Sequence, residues 1–269
     1  MEQNKNYFET NRKIWNEKTE IHIRSAFYDN KSFLEGKSSL KSIELNLLGN
    51  LEGRSVLHLQ CHFGQDSISM SRLGAKVTGI DLSDQAIRRA REFATQTGTQ
   101  TKFICCNIYD LPDHLDEQFD IVFTSYGTIT WLPDLEKWAG IVSQYLKPNG
   151  RFILVEFHPV VWMFDDEFDK VGYSYFNAGP IIEKEKGDYA EPEALAGQEF
   201  VGWNHGMSEI LNSLINNGLE INSFNEFDYS PYNCFRNTVE AEPGKYRIGH
   251  LGNKIPMLYS IGATKKRRC

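Results

Sequence analysis

Apolar residues recur along this chain in two distinct rhythms. Over the first 45 positions Tyr7, Phe8, Asn11, Ile14 and Trp15 return at helical spacing, and Ile43, Leu47 and Leu48 form another apolar face, which predicts two helical pieces. From Gly53 onward, short apolar runs alternate with amphipathic stretches. Residues 55–59, 76–80, 101–105, 119–124 and 151–157 read as strands, the last apolar nearly throughout, as a strand covered on both faces must be. Between them, residues 65–73 fit a helix, and Ser83 can cap another whose Ala86, Ile87, Ala90, Phe93 and Ala94 share one face. Leu135, Trp138, Ala139, Val142, Tyr145 and Leu146 line a further helix, which Pro148-Asn149-Gly150 ends. A helix over 207–215, closed by Asn217-Gly218, and strands at 219–227 and 256–263 complete the series. Strand–helix alternation predicts an α/β fold, a doubly wound and mostly parallel sheet of seven strands. Such sheets bind ligands at the carboxyl ends of their strands.

The rhythm breaks between 158 and 205. That stretch holds ten Asp or Glu against three Lys, together with nine aromatic residues, and reads as an insertion. Elsewhere the composition is ordinary: 41% hydrophobic and 24% charged over 269 residues, enough to bury one large core without a staple. Acidic residues outnumber basic ones by 36 to 29, and no basic stripe runs along the body, so a nucleic-acid partner is not expected. Lys265-Lys266-Arg267-Arg268 reads as a solvated tail. No apolar run reaches the roughly 18 residues of a membrane span, and Met1 to Asn6 are polar with no signal-like segment behind them. Five cysteines, two of them adjacent (Cys105, Cys106) and none in a CxxC pair, suit a reduced cytoplasmic protein without disulfides. The histidines are scattered, and no metal site is expected.

Three strand ends carry the candidate chemistry. The first opens into Gln60-Cys61-His62-Phe63-Gly64, a loop whose backbone N–H groups can approach a ligand. The second ends at Asp81-Leu82-Ser83, where a carboxylate can accept both hydroxyls of a ribose. The third leads into Asn107-Ile108, an amide side chain followed by a backbone N–H, which suits the edge of an adenine ring. GxGxxG is absent from the first loop, which speaks against a pyrophosphate cradle for NAD.

With these residues the sequence resembles the class I S-adenosylmethionine-dependent methyltransferases, a Rossmann-like fold. The matching strings are Val56-Leu57-His58-Leu59-Gln60-Cys61-His62-Phe63-Gly64, Val77-Thr78-Gly79-Ile80-Asp81, Phe119-Asp120-Ile121-Val122 and Leu146-Lys147-Pro148-Asn149-Gly150-Arg151-Phe152, and the likeness covers residues 50–157. It implies S-adenosylmethionine as cofactor and a small-molecule acceptor methylated on O or N. It also implies that Gln60, Cys61, His62 and Gly64 face the methionine half, Asp81 takes the ribose, Leu82 flanks the adenine, and Asn107 and Ile108 read it. Ser125 and Tyr126 would border the methionine amino group and the methyl. The chain departs from the family where an acidic residue is usual, at His58, and where glycines are usual, at Gln60 and His62. Non-glycine residues are costly where φ is positive, so this loop is expected to turn differently or to carry strain. Its LQCHFG wording is similar to a subgroup of bacterial small-molecule methyltransferases.

On this reading residues 1–45 are a helical cap, 46–157 the cofactor-binding core, 158–205 a lid over the substrate, and 206–269 the last part of the core sheet. A sulfonium methyl is already electrophilic, so the protein mainly aligns the acceptor and excludes water, and a base is needed only where the acceptor must lose a proton. His158, directly after the fifth strand, is the candidate base, with Glu156, His22 and His205 as further candidates. Cys61 reads as a small packing residue. Trp162, Phe164, Tyr173, Tyr175, Phe176 and Trp203 could offer aromatic faces to a neutral or cationic acceptor. Two other readings stay open: a protein that binds the cofactor or S-adenosylhomocysteine without transfer, and a nicotinamide-dependent oxidoreductase on a similar sheet.

Overall fold

The computed structural model describes residues 6–191, 194 and 196–266. Met1 to Lys5 of the polar start, and Arg267, Arg268 and Cys269 at the other end, lie outside the described residues. The strands are β1 (Ser55–His58), β2 (Lys76–Asp81), β3 (Lys102–Cys105), β4 (Phe119–Ser125), β5 (Leu146–Phe157), β6 (Ile181–Lys184), β7 (Glu199–Gly202), β8 (Leu219–Phe227), β9 (Thr238–Glu242), β10 (Lys245–Ile248) and β11 (Leu258–Lys265). Seven of them form one sheet in the order β3-β2-β1-β4-β5-β11-β8. The β1/β2, β2/β3 and β4/β5 pairs are parallel, whereas β11 runs antiparallel to both β5 and β8. The fold is therefore the expected α/β class, a mostly parallel seven-stranded Rossmann-like sheet.

The helices are α1 (Tyr7–His22), α2 (Asn30–Leu34), α3 (Ser42–Leu48), α4 (Gln65–Arg72), α5 (Asp84–Thr97), α6 (Leu135–Tyr145) and α7 (Met207–Asn216). Local chemistry explains their ends. The Ser83 hydroxyl accepts the Ala86 N–H at the start of α5, and Gly98 takes the left-handed conformation at its end. Ala86, Ile87, Ala90, Phe93 and Ala94 are the buried face, as their spacing requires.

Two compact units are distinguished by their contacts: Met1–Leu40, Asn50–Glu117 and Pro180–Gly202 in the first, and Lys41–Gly49, Gln118–Gly179 and Trp203–Cys269 in the second. In the first, Phe33, Cys61, Phe63, Ile68, Ile87, Phe93 and Phe103 share a core. The amide of Asn11 in α1 donates to Val201 O (2.8 Å) and accepts the Val201 N–H (3.0 Å), so it acts toward β7 as a paired strand would. In the second, Val161, Phe168, Ile248 and Met257 form a core joined by Phe157, Trp162, Phe164 and Phe235. The stretch 158–205 is thus shared out: its β6–β7 hairpin lies in the first unit and its aromatic start in the second.

Two local expectations need correction. The first 45 residues hold three helices where two were expected, because Asp29 enters the left-handed region (φ 41°) and caps the five-residue α2, too short to show a period. β5 begins at Leu146, ahead of the expected 151, because Asn149 (φ 63°) lets the chain bulge between the Phe119–Leu146 and Ile121–Arg151 pairs.

Candidate active site

In the first unit, β1 turns into α4 through Leu59-Gln60-Cys61-His62-Phe63-Gly64. Gln60 (φ 53°), His62 (φ 49°) and Gly64 (φ 81°) all hold left-handed backbone. The loop therefore keeps a glycine-like course while carrying side chains at two of its turns, at a strain of about 1–2 kcal/mol each. Tertiary contacts compensate for it. The Cys61 N–H donates to Ile80 O (2.8 Å), and the His62 N–H donates to Asp81 Oδ2 (2.8 Å). Close approach to β2 is possible because residue 79 is glycine: a Cβ there would lie 2.8 Å from Cys61 Sγ. Cys61 is buried and desolvation pushes its thiol well above the ordinary value, so it packs as a neutral group.

Asp81, the last residue of β2, also accepts the Ser83 N–H on Oδ1 (2.8 Å). Desolvation pushes its pKa up to about 6 against the pull of the Ser83 and His62 amides, so it is ionised at neutral pH. Leu82 follows, half-buried. After β3, Asn107 Oδ1 accepts the Tyr109 N–H (3.0 Å) and caps a short turn starting at Ile108. Its Nδ2 donors have no partner among the described residues, and the first N–H of such a turn, that of Ile108, has no acceptor within it. His58, at the position usually acidic in the resembled family, is buried against Ser67 Oγ (2.8 Å), and burial lowers its pKa to about 3, so it is a neutral packing group.

In the second unit, Ser125 ends β4 and Tyr126 (φ 48°) and Gly127 (φ 71°) turn the chain. A buried carboxylate holds that turn. Glu156 of β5 accepts the N–H groups of Gly127, Thr128 (2.7 Å), Ile129 (3.2 Å) and Phe157 (2.7 Å) and the Thr128 hydroxyl (2.8 Å). Desolvation raises its pKa while those donors lower it. The Tyr126 hydroxyl donates to Glu44 Oε2 (2.7 Å). His158 Nδ1 accepts the Val160 N–H (3.2 Å), while its buried Nε2 lies 3.0 Å from Glu226 Oε1 without making a hydrogen bond. Burial lowers its pKa and Glu226 raises it. This geometry holds the turn after β5. His205 is engaged through both ring nitrogens, Nε2 with Leu132 O (2.8 Å) and Nδ1 with Glu209 Oε1 (2.9 Å). Of the aromatic candidates, Trp162 and Trp203 line one small cavity with Phe157 and His205, Phe164 packs against the unit's core, and Phe176 is exposed.

Sequence reasoning did not find Asp188, whose carboxylate binds His22, nor Glu44 as the partner of Tyr126. Neither pair lies within one helix or one loop, so spacing carries no signal of it.

Residues 56–150 match the model of a methyltransferase domain. A ubiquinone biosynthesis O-methyltransferase of Idiomarina loihiensis is 29% identical over 48% of this chain and 54% of its own length, so the chain spans about half of that relative. Among solved structures, an S-adenosylmethionine-dependent methyltransferase from Mesorhizobium loti aligns with a TM-score of 0.59 at 22% identity, covering 86% of this chain and 100% of that one. The DhpI–SAH complex aligns at 0.56 and 16% identity, covering 99% and 100%. These likenesses establish the fold. No helix among the described residues is long and apolar enough to cross a membrane.

Proposed function

We propose that this chain is an S-adenosylmethionine-dependent methyltransferase acting on an O or N atom of a small molecule. The observation that carries the reading is the extent of the methyltransferase-domain match, which starts in β1 at Val56 and runs to Gly150, and so contains the Gln60–Gly64 loop, Asp81 and Asn107 together. The residues suit the cofactor. A carboxylate offers about four acceptor positions, and the two bonds from His62 and Ser83 leave each Asp81 oxygen able to take a ribose hydroxyl. Asn107 Nδ2 and the Ile108 N–H are donors suited to the acceptor nitrogens of adenine, with Leu82 at the ring face. The loop from Gln60 to Gly64 is assigned to the methionine half, and Ser125 and Tyr126, by the family likeness, to the amino group and methyl. When bound, the cofactor supplies an electrophilic methyl on a sulfonium. The protein's part is then to align the acceptor and keep water out.

The curated relative's name supports a hydroxyl acceptor. The LQCHFG loop supports placement among small-molecule enzymes, and the acidic balance of the chain disfavours a nucleic-acid substrate. Segments 1–45 and 158–205 are read as the cap and lid of a cytoplasmic enzyme. Calorimetric titration with S-adenosylhomocysteine, with NAD in parallel, tests the reading. Wild-type protein is expected to bind the thioether and not NAD. Asp81→Asn should weaken binding about 10²-fold, because two hydrogen bonds to a charged acceptor contribute roughly 1.5–3 kcal/mol each. Wild-type affinity should fall as pH drops through about 6, where Asp81 takes up a proton and loses acceptor capacity. Folded, ligand-free protein that fails to bind S-adenosylhomocysteine would overturn the assignment.

A further inference from the structure

We propose that His62, held in one tautomer by His22 and Asp188, is the base that removes the acceptor's proton. This rests on the methyltransferase reading above and names a residue of that site. His22 is the last residue of α1, and its side chain is fully buried, as is that of Asp188. His22 Nε2 lies 3.0 Å from Asp188 Oδ1, and His22 Nδ1 lies 2.8 Å from His62 Nε2. The three groups form a line instead of converging on a point, and among the described residues no trio of His, Cys, Asp or Glu could hold a metal ion.

The protonation pattern follows from one end of the line. Asp188 also accepts the Ala190 N–H (2.8 Å) and Lys18 Nζ (3.0 Å). Burial alone would raise its pKa, but His22 and Lys18 outweigh that and hold it well below the usual carboxylate range. Asp188 is therefore an acceptor, so His22 carries its proton on Nε2. His22 Nδ1 then offers a lone pair, and His62 must donate to it from Nε2. The lone pair of the outer ring is left on His62 Nδ1, which has no hydrogen-bond partner among the described residues. Burial and the neighbouring His22 keep the His62 pKa well below its ordinary value, so that lone pair is present at neutral pH.

Asp188 favours a proton on the pair, whereas burial and Lys18 oppose it. Lys18 sits between Asp188 and Glu185 (2.7 Å), a group of one positive and two negative charges. A proton arriving on the histidine pair balances it. The other titratable groups facing the pair are Asp81, which accepts the His62 N–H, the neutral Cys61, and the hydroxyls of Tyr28 and Tyr189, which bond each other. Trp15, Tyr28 and Phe63 wall the His62 ring, with centroids 5.3, 5.8 and 4.3 Å away. In the transfer, the acceptor O–H or N–H gives its proton to His62 Nδ1. The electron pair left behind forms the bond to the methyl carbon, and the carbon–sulfur pair stays on sulfur. Asp188 and His22 are positioning residues and His62 the catalytic one.

Nitrogen-15 NMR of histidine-labelled, ligand-free protein at pH 7.5 reads the tautomers directly. The expected result is His22 and His62 both neutral and protonated on Nε2, with Asp188→Asn changing the tautomer of both rings. A proton on His62 Nδ1, or tautomers untouched by Asp188→Asn, would overturn the proposal. The transfer arm uses catechol as acceptor and His62→Asn, since Asn tolerates the left-handed backbone at this position. The variant should lose 10²–10⁴-fold in kcat, the range of a general base, and the acid limb of the pH profile, a loss far larger than any change in its affinity for S-adenosylhomocysteine. A His62→Asn enzyme that turns over catechol like wild type sinks the base role and leaves the methyltransferase reading intact. Loss of S-adenosylhomocysteine binding by the wild type sinks the methyltransferase reading itself.

Discussion

Replacing Glu156 with alanine is expected to lower stability by about 3–5 kcal/mol, measured as the shift in urea unfolding free energy at an unchanged slope. Four backbone amides and one hydroxyl converge on this carboxylate, which is 1% exposed. Each donor left buried without a partner forfeits about 1–3 kcal/mol, and water entering the vacated space restores part of the sum. The donors are also those of the turn at Tyr126 and Gly127, whose left-handed backbone needs outside support. Glu156→Gln keeps one acceptor oxygen but turns an amide donor toward backbone donors, and it should lose nearly as much. If Glu156→Ala shifts the unfolding free energy by less than about 1 kcal/mol, the carboxylate is not what holds the turn.

Gly64→Ala is expected to destabilise by about 3–4 kcal/mol and to weaken S-adenosylhomocysteine binding with it. Two effects add. An L side chain in the left-handed region costs roughly 1–2 kcal/mol, and forcing a methyl into a filled core costs roughly 1–3 kcal/mol more. The new Cβ would lie 2.6 Å from the tip of the Phe103 ring and 3.0 Å from Ala90 Cβ. Phe103 has little room to yield, being packed with Phe33, Phe63 and Phe93. Gly98→Ala separates the effects, because Gly98 is also left-handed (φ 65°) but its added Cβ would meet nothing within 4 Å. That variant should lose only the backbone part, about 1 kcal/mol. Equal losses at the two positions would show that the contact with Phe103 contributes nothing.

Much of this could be read before any coordinates. The period of apolar positions located all seven strands of the main sheet, and α5 buries the face its spacing named, behind the Ser83 cap its chemistry named. Asp81 and Asn107 stand where strand ends were expected, because a buried parallel strand is an unbroken apolar run that a polar residue closes. The β6–β7 and β9–β10 hairpins did not announce themselves, because few of their residues are buried. β1 is as short but buries three of its four residues, so an apolar run marks it, whereas an exposed hairpin reads like loop composition.

The chemistry divides in the same way. Residue type and order alone sufficed to mark the β1–α4 loop, the acid after β2 and the amide after β3, since each is a local pattern at a strand end. His22, His62 and Asp188 are different: 40 and 166 positions separate the bonded members. A hydrogen bond between distant segments imposes no period on either of them, and which ring nitrogen carries the proton depends on the partner the fold supplies. The same holds for Glu156, which the folded chain commits to holding a turn, and for His158, whose Nδ1 accepts the Val160 N–H. Burial pattern is written locally and determines the scaffold. Long-range polar pairing is written only in three dimensions, and it decides which side chains stay available for chemistry.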